Sequence, residues 1–131
     1  MNKYKLRYII FITLNLINIL IYPFINYAGI VEIHYELWLG IVLVYMPAAA
    51  FILSLIYGMI FKGYALFMLI GIIYGVIMLM FYPLFGNGIH DKLISFAVIS
   101  LIYMFIFIVG ISFGILLNFL CDKILQLIKN R

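Results

Sequence analysis

Five side chains in this sequence have the chemistry of metal ligands: Glu32, His34, Glu36, His90 and Asp91. Carboxylate oxygens and imidazole nitrogens together can hold a divalent cation, and a helical bundle could bring two such short segments to the same end. Yet Glu-x-His-x-Glu matches no familiar ligand spacing, and it mixes hard oxygen donors with a softer nitrogen donor. The segments are therefore read as solvated polar loops on the outer face, or as a polar site for a headgroup or partner. Neither a metal nor a cofactor is expected.

Gly110-Ile111-Ser112-Phe113-Gly114 has the G-x-S-x-G form of a serine nucleophile elbow. Such a serine is activated only on a sharp strand-to-helix turn with a histidine in reach. Here the motif falls inside a continuous apolar run, and His90, the nearest histidine in sequence, lies roughly 30 Å away at helical rise. No enzyme is expected.

A third set is polar without being ionisable. Asn15, Asn18, Tyr45, Tyr74 and Tyr103 each fall near the middle of a long apolar run. Amides and hydroxyls in hydrocarbon are costly unless paired, so these residues are expected to meet in one midplane layer. Such a layer either glues helices together or lines a path for a solute or ion. Asn15, Asn18, Tyr22 and Asn26 also recur at intervals that share one helix face. None of the runs contains Asp, Glu, Lys, Arg or His, which removes the groups a transmembrane proton relay needs.

The elements that must position these residues follow from composition. Of 131 residues, 69% are hydrophobic and 9% charged, and the mean hydropathy is +1.33; no soluble domain of ordinary make-up has this balance. Four runs, at about 8–28, 37–61, 64–85 and 93–121, each meet the requirement of about 20 apolar residues for a membrane-spanning helix. Continuous apolar runs exclude transmembrane strands, which alternate. The fold expected is all-α, a four-helix transmembrane bundle of up-down topology, forming one membrane domain over residues 1–131. The first run exceeds a signal-peptide core of about 7–15 residues and is read as a retained span.

Charge sets the orientation. Lys92 alone of the 8 basic residues lies on the side of Glu32, Glu36 and Asp91. Lys3, Lys5, Arg7, Lys62, Lys123, Lys129 and Arg131 lie on the other side, so both termini are expected in the cytoplasm. After the fourth run, Ile124, Leu125, Leu127 and Ile128 interleave with Lys123, Gln126, Lys129 and Arg131 at helical spacing, so the helix is expected to continue as a short amphipathic tail lying on the inner surface. The net charge of +4 is divided among places beside apolar runs, which suits anionic headgroups and not nucleic acid. The single Cys121 excludes a disulfide within the chain.

Within the bundle, only Lys62 and Gly63 separate the second and third runs, which are expected to pair as an antiparallel hairpin with Gly63 as the left-handed cap. Gly71/Gly75 and Gly110/Gly114 permit close helix approach. Pro47 is expected to kink or loosen the second helix. The function expected is that of a multi-pass protein of a bacterial cytoplasmic membrane, acting through helix contacts as an accessory, regulatory or protective (immunity-type) subunit. Its partners are membrane lipids and another membrane protein or further copies of itself. An oligomeric small-solute or ion channel or transporter is the alternative.

Overall fold

A computed structural model describes residues 2–29, 33–64, 66–81 and 88–130, and every regular element among them is helical. Helix α1 runs Lys3–Tyr27, opened by Asn2, whose side-chain oxygen accepts from the Tyr4 amide. Pro23 lies inside it and does not end it. Helix α2 runs Tyr35–Phe61, α3 Phe67–Phe81 and α4 Ile89–Lys129. By length and composition α1, α2 and α4 can each cross a membrane, which marks a small membrane protein. The 15 residues of α3 reach about 22 Å, short of a hydrocarbon core of about 30 Å. The expected extension of this span to residue 85 falls outside the described residues.

Glycines decide which helices meet. A Cβ on Gly110 would strike Ser54 Oγ and come within 2.9 Å of the Phe51 carbonyl. One on Gly114 would strike the Leu55 carbonyl, and one on Gly58 the carbonyl of Ile111. The backbones of α2 and α4 are thus in direct contact, which only residues without side chains allow. On the other flank of α4, Gly71 faces Met104 and Gly75 faces Ser100 and Phe96. Helix α4 is the hub, with α1 closing the bundle by packing on α2 and α3.

This order corrects one expectation. The main packing joins α1 to α2, α1 to α3, α2 to α4 and α3 to α4, so α2 and α3 stand across the bundle from one another instead of forming a hairpin. The connection between them is fastened to α4. Lys62 Nζ lies 3.8 Å from the Asp122 carboxylate, and the hydroxyls of Tyr64 and Ser112 are 2.8 Å apart. Both glycine-bearing faces seek α4, and a short linker suffices to pass it. The left-handed cap is also one residue earlier than expected, at Lys62 with φ 52°; of the described glycines only Gly29 has a positive φ.

Contacts fix the relative directions. Ascending α4, the α2 residues met are Ser54 at Gly110, Met59 at Asn118 and Lys62 at Asp122, so α2 and α4 run parallel. Gly71 meets Met104 and Gly75 meets Ser100, so α3 is antiparallel to α4. Tyr8 stacks on Phe61 while Trp38 bonds Asn26, so α1 is antiparallel to α2. Lys3, Lys5, Arg7, Lys62, Lys123 and Lys129 consequently gather at one end, and Lys92 sits at the other. The C-terminal residues continue the last helix, as their spacing predicts. They are the last turns of an unbroken 41-residue α4, and residues 119–130 are exposed along it.

Candidate functional site

Asn18 is at the centre of the buried polar groups. It sits about 15 Å below Tyr8 at helical rise, half of a hydrocarbon core. Both hydrogens of its amide are used across helices: Nδ2 donates to the Met46 carbonyl of α2 at 3.1 Å and to the Tyr74 hydroxyl of α3 at 2.7 Å. Tyr74 in turn donates to Asn15 Oδ1 at 3.3 Å, and Asn15 Nδ2 donates to the Phe11 carbonyl of its own helix at 3.0 Å. The chain of bonds runs from α2 through α1 to α3 and back. Tyr103 of α4 joins it by ring stacking, its centroid 4.1 Å from that of Tyr74. The Tyr103 hydroxyl is buried and has no hydrogen-bond partner among the described residues.

Tyr45 is not part of this layer. It is 74% exposed, while its neighbour Met46 is fully buried. The cause is local. Pro47 lacks an N–H and its ring would collide with the carbonyl of residue 43 in a regular helix. The turn before it widens to a π segment at Ile41–Tyr45, in which the Met46 amide donates to the Ile41 carbonyl five residues back. Met46 then faces Asn18, and Tyr45, one residue earlier, faces away from the bundle together with Leu43 and Val44.

Above the layer, Trp38 Nε1 donates to Asn26 Oδ1 at 2.9 Å. This fastens α1 to α2 at the end opposite the basic residues. The spacing of Asn15, Asn18 and Asn26 foretold their shared face, but nothing in sequence singled out Trp38 or the Met46 carbonyl as partners. Ser112, in the G-x-S-x-G stretch, lies within α4 and donates to the Ile108 carbonyl at 2.7 Å.

Of the outer-face group, Glu32 lies outside the described residues. His34 precedes α2 and Glu36 lies in its first turn, both exposed, and His90 and Asp91 lie in the first turn of α4. The Asp91 carbonyl accepts from Ser95 Oγ at 2.8 Å. Among the described residues no three His, Cys, Asp or Glu side chains gather closely enough to hold a metal ion. Two pockets flanking the bundle are lined almost wholly by apolar side chains. Comparison with protein-family models, with curated proteins and with solved structures found no match to this chain.

Proposed function

We propose that this chain is a multi-pass subunit of a bacterial cytoplasmic membrane, with both termini in the cytoplasm, that works by docking the exposed face of its π segment on another membrane protein. Its role is then accessory, regulatory or protective, of the immunity type, and not catalytic. The observation that carries this reading is Tyr45. Its backbone is near the depth of Asn18, since the adjoining Met46 carbonyl is bonded there, and 74% of the residue is exposed outside the bundle. Tyrosines facing lipid belong at the interfaces, where the hydroxyl is wet. One held at the midplane calls for a hydrogen-bond acceptor on a neighbouring helix, and Leu43 and Val44, 62% and 63% exposed, supply apolar area beside it. Asn18, Asn15 and Tyr74 are already committed to one another.

The test is a photoreactive phenylalanine analogue placed at Tyr45 and, separately, at Ile17, which is 57% exposed on α1. Irradiated membranes should yield one defined protein adduct from position 45 and none from 17. Equal yields at both positions, or lipid adducts only, reject the reading. The alternative, an oligomeric channel or transporter, draws its support from the Tyr103 hydroxyl, buried with no hydrogen-bond partner among the described residues and beside an apolar pocket of about 230 Å³. Flux of small solutes or ions through liposomes containing the purified chain alone, lost in Tyr103→Phe, would favour it.

A further inference from the structure

A lateral groove of about 180 Å³ opens between α1 and α2 near their basic end, walled by Arg7, Ile10 and Leu14 on one side and Leu53, Ile56 and Ile60 on the other. Its floor is rigid aromatic surface, with the rings of Phe11 and Tyr57 4.4 Å apart. From Arg7 to Leu14 the groove descends about 10 Å, two-thirds of one leaflet of a hydrocarbon core of about 30 Å. Only the top is charged. Arg7 is exposed and forms no ion pair within 4.0 Å among the described residues, where the one pair is Lys62 with Asp122. Lys3 stands one turn above Arg7 on the same face, and the first turn of α1 carries no acidic residue.

We infer that this groove holds one anionic phospholipid, an acyl chain lying between Ile10, Leu14, Leu53 and Ile56 and the phosphate bound by Arg7 with Lys3 above it. The form of the groove matches the form of the ligand: a charged head at the interface, continuous with an apolar slot that opens sideways to the bilayer. A guanidinium binds phosphate through two parallel N–H groups, and basic residues between helices on the cytoplasmic side are suited to anionic lipid headgroups. A free phosphate would meet the head of the site and leave the slot unused. The inference rests on the chain lying in a membrane and not on the contact proposed at Tyr45.

Native mass spectrometry of the full chain in mild detergent tests it, with phosphatidylglycerol and phosphatidylcholine of identical acyl chains supplied at equal concentration. The wild type should retain phosphatidylglycerol about fivefold over phosphatidylcholine, the equivalent of about 1 kcal/mol for one basic residue. Arg7→Gln should bring the two lipids level, and Arg7→Lys should restore part of the preference. Leu53→Trp, which fills the slot, should lose both adducts at unchanged helical content by circular dichroism; if it does not fold, Ile56→Phe takes its place. Equal retention of both lipids by the wild type, a preference that survives Arg7→Gln, or retention unaffected by filling the slot overturns the proposal. Displacement of the lipid by millimolar inorganic phosphate overturns it as well, by showing that the site takes a free anion.

Discussion

An asparagine in hydrocarbon is defined by where its two amide hydrogens go. Those of Asn18 both go to other helices, whereas the Asn15 amide donates to its own. The two residues look alike in sequence and differ in weight. Asn18→Leu removes two interhelical bonds and should cost about 1–2 kcal/mol, while Asn15→Leu removes one interhelical bond, the acceptor of Tyr74, and one within its own helix, and should cost about 0.6 kcal/mol. Unfolding of the purified chain by sodium dodecyl sulfate in mixed micelles measures both, and a larger loss for Asn15→Leu would show the bond assignment to be wrong. Combined with Tyr74→Phe, Asn18→Leu should cost less than it does alone, because the shared bond is already gone. Ser100 is the opposite case: its hydroxyl is buried with no partner among the described residues. Ser100→Ala should therefore be neutral or slightly stabilising in the same assay, since it removes a desolvated group and no bond.

At the scale of helices, close approach is where glycine identity matters, and the three kinds of neighbour a new methyl would meet give three outcomes. At Gly114 it meets the α2 backbone, namely the Leu55 carbonyl and the Met59 amide, which can move only if the helices part. Gly114→Ala should cost about 2–3 kcal/mol, the upper range for overpacking. At Gly71 the nearest atom is Met104 Cγ at 2.5 Å, on a side chain with rotatable bonds, and the α4 backbone comes no closer than 3.2 Å, so Gly71→Ala should cost about 1 kcal/mol, less than Gly114→Ala. At Gly40 nothing lies within 4 Å, and Gly40→Ala should stabilise by up to about 1 kcal/mol through helix propensity. Thermal unfolding in detergent ranks the three, and any other order contradicts the backbone contact between α2 and α4. The helices themselves were legible in the sequence because a span needs only length and apolarity, and the Asn15/Asn18/Tyr22/Asn26 face of α1 was legible because helical spacing is periodic. Neighbour choice was not. Loop length pointed to an α2–α3 hairpin, but it constrains only the distance between helix ends, and the glycine faces on either side of α4 set the order instead. The facing of Tyr45 was hidden because depth counted from the loops says nothing of direction around the helix, and Tyr45 lies about 100° from buried Met46, off the face that Met46, Ala50 and Ser54 bury.

The whole molecule is electrically polarised along its length. The basic residues of α1, the α2–α3 connection and the α4 C-terminal turns share one end, and the first turns of α2 and α4, with Glu36 and Asp91, share the other. Because α2 and α4 run parallel, Glu36 and His90 must emerge on the same side of a membrane and Asn130 on the opposite one. This relation follows from the packing and does not depend on which side is cytoplasmic. The orientation proposed above puts the basic end in the cytoplasm, on the bias that keeps clustered Lys and Arg next to span ends on that side. In a Cys121→Ser background, which removes the exposed native thiol, single cysteines at Glu36, His90 and Asn130 should separate into two classes. The first two should react with a membrane-impermeant maleimide on intact cells, and the third only after the membrane is opened. Labelling of Asn130→Cys alone on intact cells would reverse the orientation and leave the bundle intact. Labelling that places Glu36→Cys and His90→Cys on opposite sides would contradict the parallel packing of α2 and α4 itself, and with it the backbone contacts at Gly110 and Gly114.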